Sequence, residues 1–350
     1  MVYVLVSAME SCNSYVLMIL SQLSIAVFII LQQSVVASSD AISPTILVLY
    51  EHLLSATLLS SLALLLDRAN RPKVSLPFLF WAFFAGFLQI TLAQLMLTMS
   101  LRYITASFQS VAMNTTPVVV FVLAVACGRE PFRFGGVQGQ AKLWGFLVSA
   151  AGATVMVVFP DAEPHRLTGY PWTGDRSIGC LMAGLGILGA ATGAILVEYV
   201  ATKYSADLTL SAMMNVSGTI QTAMIAALTE KDLSSWRVSS TGNLLTILYG
   251  GTAVTGLTYL ATNWCIHKEG PVFTSAFSPL LIVFSFLLEM LILHHAAHLA
   301  SIIGATLVVG GLYLLLWAKS KDHKMMKIVI EGQSHAIEGS TAEPLLLNNV

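Results

Sequence analysis

Ten runs of roughly twenty apolar residues follow one another along this chain, near 14–36, 44–66, 78–99, 104–126, 143–159, 178–200, 208–229, 244–266, 272–293 and 299–318. Crossing a hydrocarbon layer of about 30 Å at about 1.5 Å per residue takes about 20 residues. The runs are bounded by charges or by Pro and Gly clusters, and they are apolar all round, as membrane helices are and amphipathic surface helices are not. Only 10% of the 350 residues are charged and 56% are hydrophobic, whereas soluble domains carry about 25% charge. Such a chain cannot cover a water-facing surface with polar groups, so most of its outside faces lipid. The expected fold class is an all-α membrane protein with ten transmembrane helices.

The few charges that remain exclude some functions and orient the rest. A formal net charge of −1 leaves no basic stripe for a polyphosphate backbone, so nucleic acid is not an expected partner; the lipid bilayer and a small-molecule substrate are. Cys12, Cys127, Cys180 and Cys265 are far apart, with no C-x-x-C pair and no Cys/His spacing that closes a zinc site. No Lys or Arg precedes the first run, so that run is expected to act as its own insertion signal rather than as a cleaved peptide. Twelve basic residues (Arg68, Arg71, Lys73, Arg129, Arg133, Lys142, Lys203, Lys268, Lys319, Lys321, Lys324, Lys327) fall on the side shared by the termini, against five on the other (Arg102, Arg166, Arg176, Lys231, Arg237). Cytoplasmic loops retain Lys and Arg, which predicts both termini in the cytoplasm.

The fourth and fifth runs resemble the ninth and tenth. Thr116-Pro117-Val118-Val119-Val120-Phe121 parallels Ser278-Pro279-Leu280-Leu281-Ile282-Val283, and the pair Gly145/Gly152 parallels Gly304/Gly311, each seven residues apart. A repeat of five spans, an odd number, places its second copy upside down, the inverted-topology duplication of many secondary transporters. The predicted organisation is a cytoplasmic segment 1–13, a first five-helix repeat 14–159, a non-cytoplasmic connector 160–177, a second repeat 178–318 and a disordered cytoplasmic tail 319–350. A substrate site is expected near the mid-plane between the copies, where Pro117 and Pro279 interrupt helices and release backbone groups into a cavity.

Several segments resemble the plant walls-are-thin-related, or nodulin-21-like, transporters, with paired EamA domains, of the drug/metabolite transporter superfamily, also called UMAMIT. They include Arg71-Pro72-Lys73, Tyr103-Ile104-Thr105-Ala106-Ser107-Phe108, Asn114-Thr115-Thr116-Pro117, Ala141-Lys142-Leu143-Trp144-Gly145, Asp232-Leu233-Ser234-Ser235-Trp236, Lys268-Glu269-Gly270-Pro271-Val272-Phe273 and Trp317-Ala318-Lys319-Ser320-Lys321. The likeness runs from about residue 15 to 321. It implies two inverted five-helix EamA repeats that move small organic solutes, amino acids and auxin-like compounds among them, in the plasma or vacuolar membrane, without cofactor, metal or ATP. No G-x-x-x-x-G-K-[ST] loop is present to contradict the last point. Against the family pattern, Glu51 and His52 follow Tyr50 where a basic residue is common, Ala93-Gln94-Leu95 keeps only the Gln of an acidic-Gln-Asn group, and His294-His295 replaces a Gly-Glu pair.

All seven Asp lie between the runs, whereas Glu51, Glu198 and Glu289 lie within them. A charge at mid-bilayer costs about 2.5–3.5 kcal/mol on insertion scales, so each of these Glu needs a reason. Glu198 and Glu289 are near run ends; Glu51, seven residues past Pro44, is about 10 Å deep. With His52 beside it, Glu51 is the candidate for proton coupling; the competing reading is a carboxyl hydrogen-bonded between helices. Gln94, Asn114, Tyr259, Asn263 and Phe277 are candidates for the substrate pathway together with Pro117 and Pro279, although amides in spans also simply join helices. His294 and His298, at i and i+4, are spaced for one helix face, with His295 beside them, as a polar turn, a pH sensor or, least of all, a metal site. An enzyme is disfavoured: the runs contain no Asp dyad, no H-E-x-x-H and no G-x-S-x-G elbow.

Overall fold

The computed structural model describes residues 13–36, 42–66, 75–100, 103–104, 109, 112–130, 136–158, 176–204, 207–232, 236–238, 240–293, 302–319 and 321. Among these residues are ten helices: α1 (Ser14–Val36), α2 (Pro44–Leu66), α3 (Leu76–Ser100), α4 (Thr116–Ala126), α5 (Val137–Val158), α6 (Arg176–Tyr204), α7 (Asp207–Thr229), α8 (Thr241–Glu269), α9 (Pro271–Ala276 continued by Leu280–Leu293) and α10 (Ile302–Lys319). Six are long and apolar enough to cross a membrane, namely α1, α2, α3, α6, α8 and α10, and α4 and α9 are shorter apolar helices. Most of the predicted segments 1–13, 160–177 and 319–350, the basic residues Arg68, Arg71, Lys73, Arg102 and Arg133, and His294, His295 and His298 lie outside the described residues.

Helix α7 carries a polar stripe and packs against α2, α3 and α8. Its buried stripe includes Ser211, Asn215, Thr219 and Thr222. A membrane helix with that inventory is stable only where other helices, not lipid, meet its polar face. The lipid side of the bundle is drawn by exposed Leu, Phe, Val and Ile, such as Phe80, Phe83 and Phe84 on α3 and Leu181, Leu185 and Leu188 on α6.

The two halves pack on one another in matching pairs. Helix α3 packs on α6 as α8 packs on α1, and α4 packs on α6 as α9 packs on α1. The fifth helices meet through the glycines that marked the repeat. A Cβ on Gly145 would lie 2.9 Å from the Gly311 carbonyl oxygen, and one on Gly152 would lie 2.6 Å from that of Gly304. Position 145 faces 311 while 152 faces 304, so α5 and α10 run antiparallel, and equivalent helices of an inverted repeat must do so. The missing side chains let the two backbones touch.

At Pro117 a helical stretch at Ala112–Met113 ends in a turn at Asn114–Thr115, closed by Thr115 N–H donating to Ala112 O; α4 starts at Thr116, with Pro117 in its first turn. Proline, with no N–H and a fixed φ, suits that position. Pro279 does break α9, but the turn Phe277–Pro279 reabsorbs its own backbone through i→i+3 bonds, including Leu280 N–H to Phe277 O and Ile282 N–H to Pro279 O. Such i→i+3 bonds tighten a broken helix locally.

An unforeseen feature is that both α3 and α8, the third helices of their halves, widen into π-helical turns at mid-length, over Phe87–Leu95 and Gly250–Thr258. On α6, Gly186, Gly189 and Gly193 admit the first of these turns; a Cβ on Gly189 would be 2.9 Å from Leu88 O. Gly184, by contrast, faces open space. Gly250 and Gly251 seat the second turn on α2: a Cβ on Gly251 would be 2.9 Å from Glu51 O, and one on Gly250 would be 3.0 Å from the Glu51 carboxyl.

Candidate functional site

Between the two π-helical turns lies a buried polar cluster, and it gathers the candidates that the sequence scatters over α2, α3 and α8. Glu51 and His52 are both 0% exposed. Gln94, on the π-helical turn of α3, donates from Nε2 to Glu51 Oε2 at 3.2 Å. Its Oε1 accepts from the Tyr259 hydroxyl at 2.9 Å and lies 2.8 Å from His52 Nε2. The other ring nitrogen, Nδ1, is 3.0 Å from Asn215 Oδ1 on α7. Asn215 Nδ2 donates to the Ser211 carbonyl at 3.0 Å, and Asn263 Nδ2 donates to the Ser211 hydroxyl at 3.0 Å. The chain of contacts therefore runs from Glu51 through Gln94, His52, Asn215 and Ser211 to Asn263. It uses residues of both halves.

Local structure explains the convergence. Gln94 lies on one widened turn and Tyr259 directly follows the other; Gly250 leaves room for the Glu51 carboxyl and Gly251 for the Glu51 carbonyl and Leu54. Thr255 Oγ bonds the Gly250 and Gly251 carbonyls at 3.1 and 3.3 Å, stitching the loosened backbone. Glu51 Oε1 has no hydrogen-bond partner among the described residues. A carboxyl held this far from water, with one oxygen unengaged, is a costly arrangement that packing alone does not require.

The remaining candidates lie elsewhere. Phe277 is in the apolar core of α1, α4, α5, α9 and α10, edge-on to Phe273 at 5.1 Å and to Tyr15 at 6.2 Å. Asn114 is buried in the turn before α4, with Nδ2 unpartnered, and Pro117 and Pro279 flank the same core. A groove of about 350 Å³ opens between α4 and α6, lined by Leu123, Thr192, Ile195 and Tyr199 with Arg129 at its edge. The side chain of Glu289 lies outside the described residues. Asn215 and Ser211 are the members of the cluster that sequence reasoning missed. The signal was their place in the stripe Asp207, Ser211, Asn215, Thr219, Thr222 at helical spacing.

A second polar group closes the end of the bundle where α4, α6, α8 and α10 finish. Glu130 lies between Lys142 Nζ at 2.5 Å and Lys319 Nζ at 3.4 Å, and Lys142 is only 1% exposed. Arg129 and Glu198 approach to 3.9 Å beside them, and His267 Nδ1 is 2.9 Å from Asp207 on the same end. Lys142 belongs to the first half and Lys319 to the second, so Glu130 ties the halves together here. The opposite end is held by neutral contacts, Tyr50 hydroxyl to Trp236 O at 2.8 Å and Trp236 Nε1 to Glu230 O at 3.3 Å, and by Ser43 donating to Glu230.

The model of the EamA-like transporter family matches residues 13–158 and 177–317, one copy on each side of the α5–α6 boundary. The chain belongs to the EamA-like transporter family. Among its relatives in Arabidopsis thaliana are WAT1-related protein At1g68170, 28% identical over 328 residues (90% of this chain, 91% of the relative), and WAT1-related protein At3g18200, 32% identical over 299 residues (83% and 78%). WAT1-related protein At3g30340 is 30% identical over 299 residues, 82% of each chain. A protein of known crystal structure shares the fold with a TM-score of 0.65 at 15% identity, covering 85% of this chain and 96% of the other. This EamA protein is therefore a ten-helix membrane protein of two inverted five-helix repeats, in a family of transporters of small solutes.

Proposed function

We propose that this EamA protein is a secondary carrier of small organic solutes, amino acids and auxin-like compounds being the classes to test first, that works by alternating access of its two halves in the plasma or vacuolar membrane. The observation that carries the reading is the buried chain of polar contacts from Glu51 to Asn263, which crosses from the first half to the second at the level of both π-helical turns. Polar groups in a membrane interior are expensive and are retained where solutes or protons pass. The cluster is closed in the described state, and a cargo reaches it only when the halves part.

Glu51 and His52 are the proposed proton-coupling pair, with Gln94, Tyr259 and Asn263 beside the pathway. Asn114 and Phe277, near the Pro117 and Pro279 turns, belong to the α4–α9 contact that has to rearrange as the halves move. The basic end, with the Glu130 cluster, is placed towards the cytoplasm together with both termini. Parting the halves on that side means breaking the Glu130–Lys319 contact, and on the other side the Tyr50–Trp236 contact.

The test is flux. The full chain reconstituted in liposomes is screened with labelled amino acids, indole acids and related organic acids, with and without an imposed pH gradient. Saturable uptake of at least one class is expected; no flux for any of them, with the protein folded and inserted, contradicts the carrier reading.

A further inference from the structure

Coupling to protons leaves the atom that bears the proton to be identified, and the hydrogen bonds around His52 identify it. With Glu51 ionised, both amides that touch the ring face partners that only accept. Gln94 must turn Nε2 to the Glu51 carboxylate and Asn215 must turn Nδ2 to the Ser211 carbonyl; either amide reversed would set oxygen against oxygen. Each therefore shows the ring an oxygen, Gln94 Oε1 at 2.8 Å from Nε2 and Asn215 Oδ1 at 3.0 Å from Nδ1. The Tyr259 hydroxyl, from the second half, donates to the same Gln94 oxygen. A neutral imidazole has one N–H and satisfies one oxygen; the doubly protonated ring satisfies both.

We propose that His52 is a single-proton site, doubly protonated in this closed state, with Gln94 and Asn215 as the residues that position it and Glu51 as its counter-charge across the Gln94 amide. The inference rests on the coupling reading above and deepens it. Release breaks one N–H bond. The electron pair stays on the ring, the proton passes to the water that enters as the halves part, and the cluster changes from net zero to −1. The neutral ring then sets a lone pair against either Gln94 Oε1 or Asn215 Oδ1. Where that oxygen is Asn215 Oδ1, the His52–Asn215 contact between α2 and α7, one of those that join the halves, is lost. The proton thus acts as the clasp between the halves.

Every element packed on α2 is accounted for among the described residues. From α3 the ring meets Gln94, from α7 Asn215, and from α8 the Tyr259 ring, at 6.4 Å between centroids. Glu51 and Tyr259 are the titratable groups facing it. Elsewhere on these helices Asp207 pairs with His267 at one end, Tyr50 bonds the Trp236 carbonyl at the other, and Tyr249 bonds Ser24.

The test is nitrogen-15 NMR of histidine-labelled full-length protein in lipid nanodiscs, with the His52 signals assigned by their disappearance in His52→Asn. Both ring nitrogens of His52 are expected to be protonated in the wild type and in Asn215→Asp, which keeps an acceptor at Nδ1. In Asn215→Leu, and in Glu51→Gln, which frees the Gln94 amide to turn, one of the two protons should be lost at the same pH. A wild-type ring with one proton, or a ring unchanged by both Asn215→Leu and Glu51→Gln, overturns the assignment. A doubly protonated ring in a protein that moves no cargo would leave the proton site standing and remove the carrier. Gradient-driven flux with a singly protonated ring would keep the carrier and remove this site.

Discussion

Glu51 and His52 on α2 occupy the places that Met214 and Asn215 occupy on α7. Glu51 and Met214 each follow the first residue of their helix by seven, and their carbonyls face Gly251 and Gly86, where a Cβ would lie 2.9 and 2.6 Å away. Eight residues beyond those glycines stand Tyr259 and Gln94, which bond to each other. The halves thus share their shape, down to glycines and π-helical turns, and differ in chemistry: an acid and an imidazole in one, a thioether and an amide in the other. The ends differ in the same way. Glu130 and Lys142 at the basic end correspond, counted from the Pro and Gly markers, to Ile292 and Ser301 in the second half. What the halves share holds the bundle together, and what they do not share is where a direction of transport can be encoded.

The largest expected effect falls on the unshared ionic end. Lys142→Met leaves the buried Glu130 with Lys319 alone, and breaking a buried pair from one side costs about 3–5 kcal/mol; melting in detergent should fall accordingly, and Glu130→Gln added to it should restore part of the loss. No restoration would mean that the charge is not what matters there. Next comes the shared shape: Gly152→Val forces a Cβ to 2.6 Å from both Gly304 O and Leu307 Cβ, and overpacking of this kind costs about 1–3 kcal/mol. An unchanged melting temperature would break the claim that α5 and α10 touch through glycine.

Smaller effects separate Asn215 from its neighbour. Asn215→Leu strands a ring nitrogen of His52, which costs about 1–3 kcal/mol, whereas Met214→Leu conserves volume and costs less than about 1.5 kcal/mol. Thermal melting of the two variants side by side should show a clear gap. If they melt alike, the polar chain is not a structural link between the halves.

The ten spans and the repeat were legible because both are written in properties that survive without contacts, namely apolar length and the spacing of Pro and Gly. Glu51, His52 and Gln94 could be singled out because ionisable or amide groups in apolar runs are rare. Their mutual bonds could not be read, because they depend on turns that widen at Phe87–Leu95 and Gly250–Thr258 under packing from α6 and α2. Asn215 was hidden for the opposite reason: on a helix already rich in Ser and Thr it looked ordinary.

The central claim, that the chemistry peculiar to the first half couples solute movement to protons, meets its most direct test in paired liposome assays of the wild type and Glu51→Gln with whichever cargo the screen identifies. The wild type should be stimulated by an imposed pH gradient and Glu51→Gln should not, while solute exchange without a gradient persists in both. Equal stimulation of the two proteins would contradict the account.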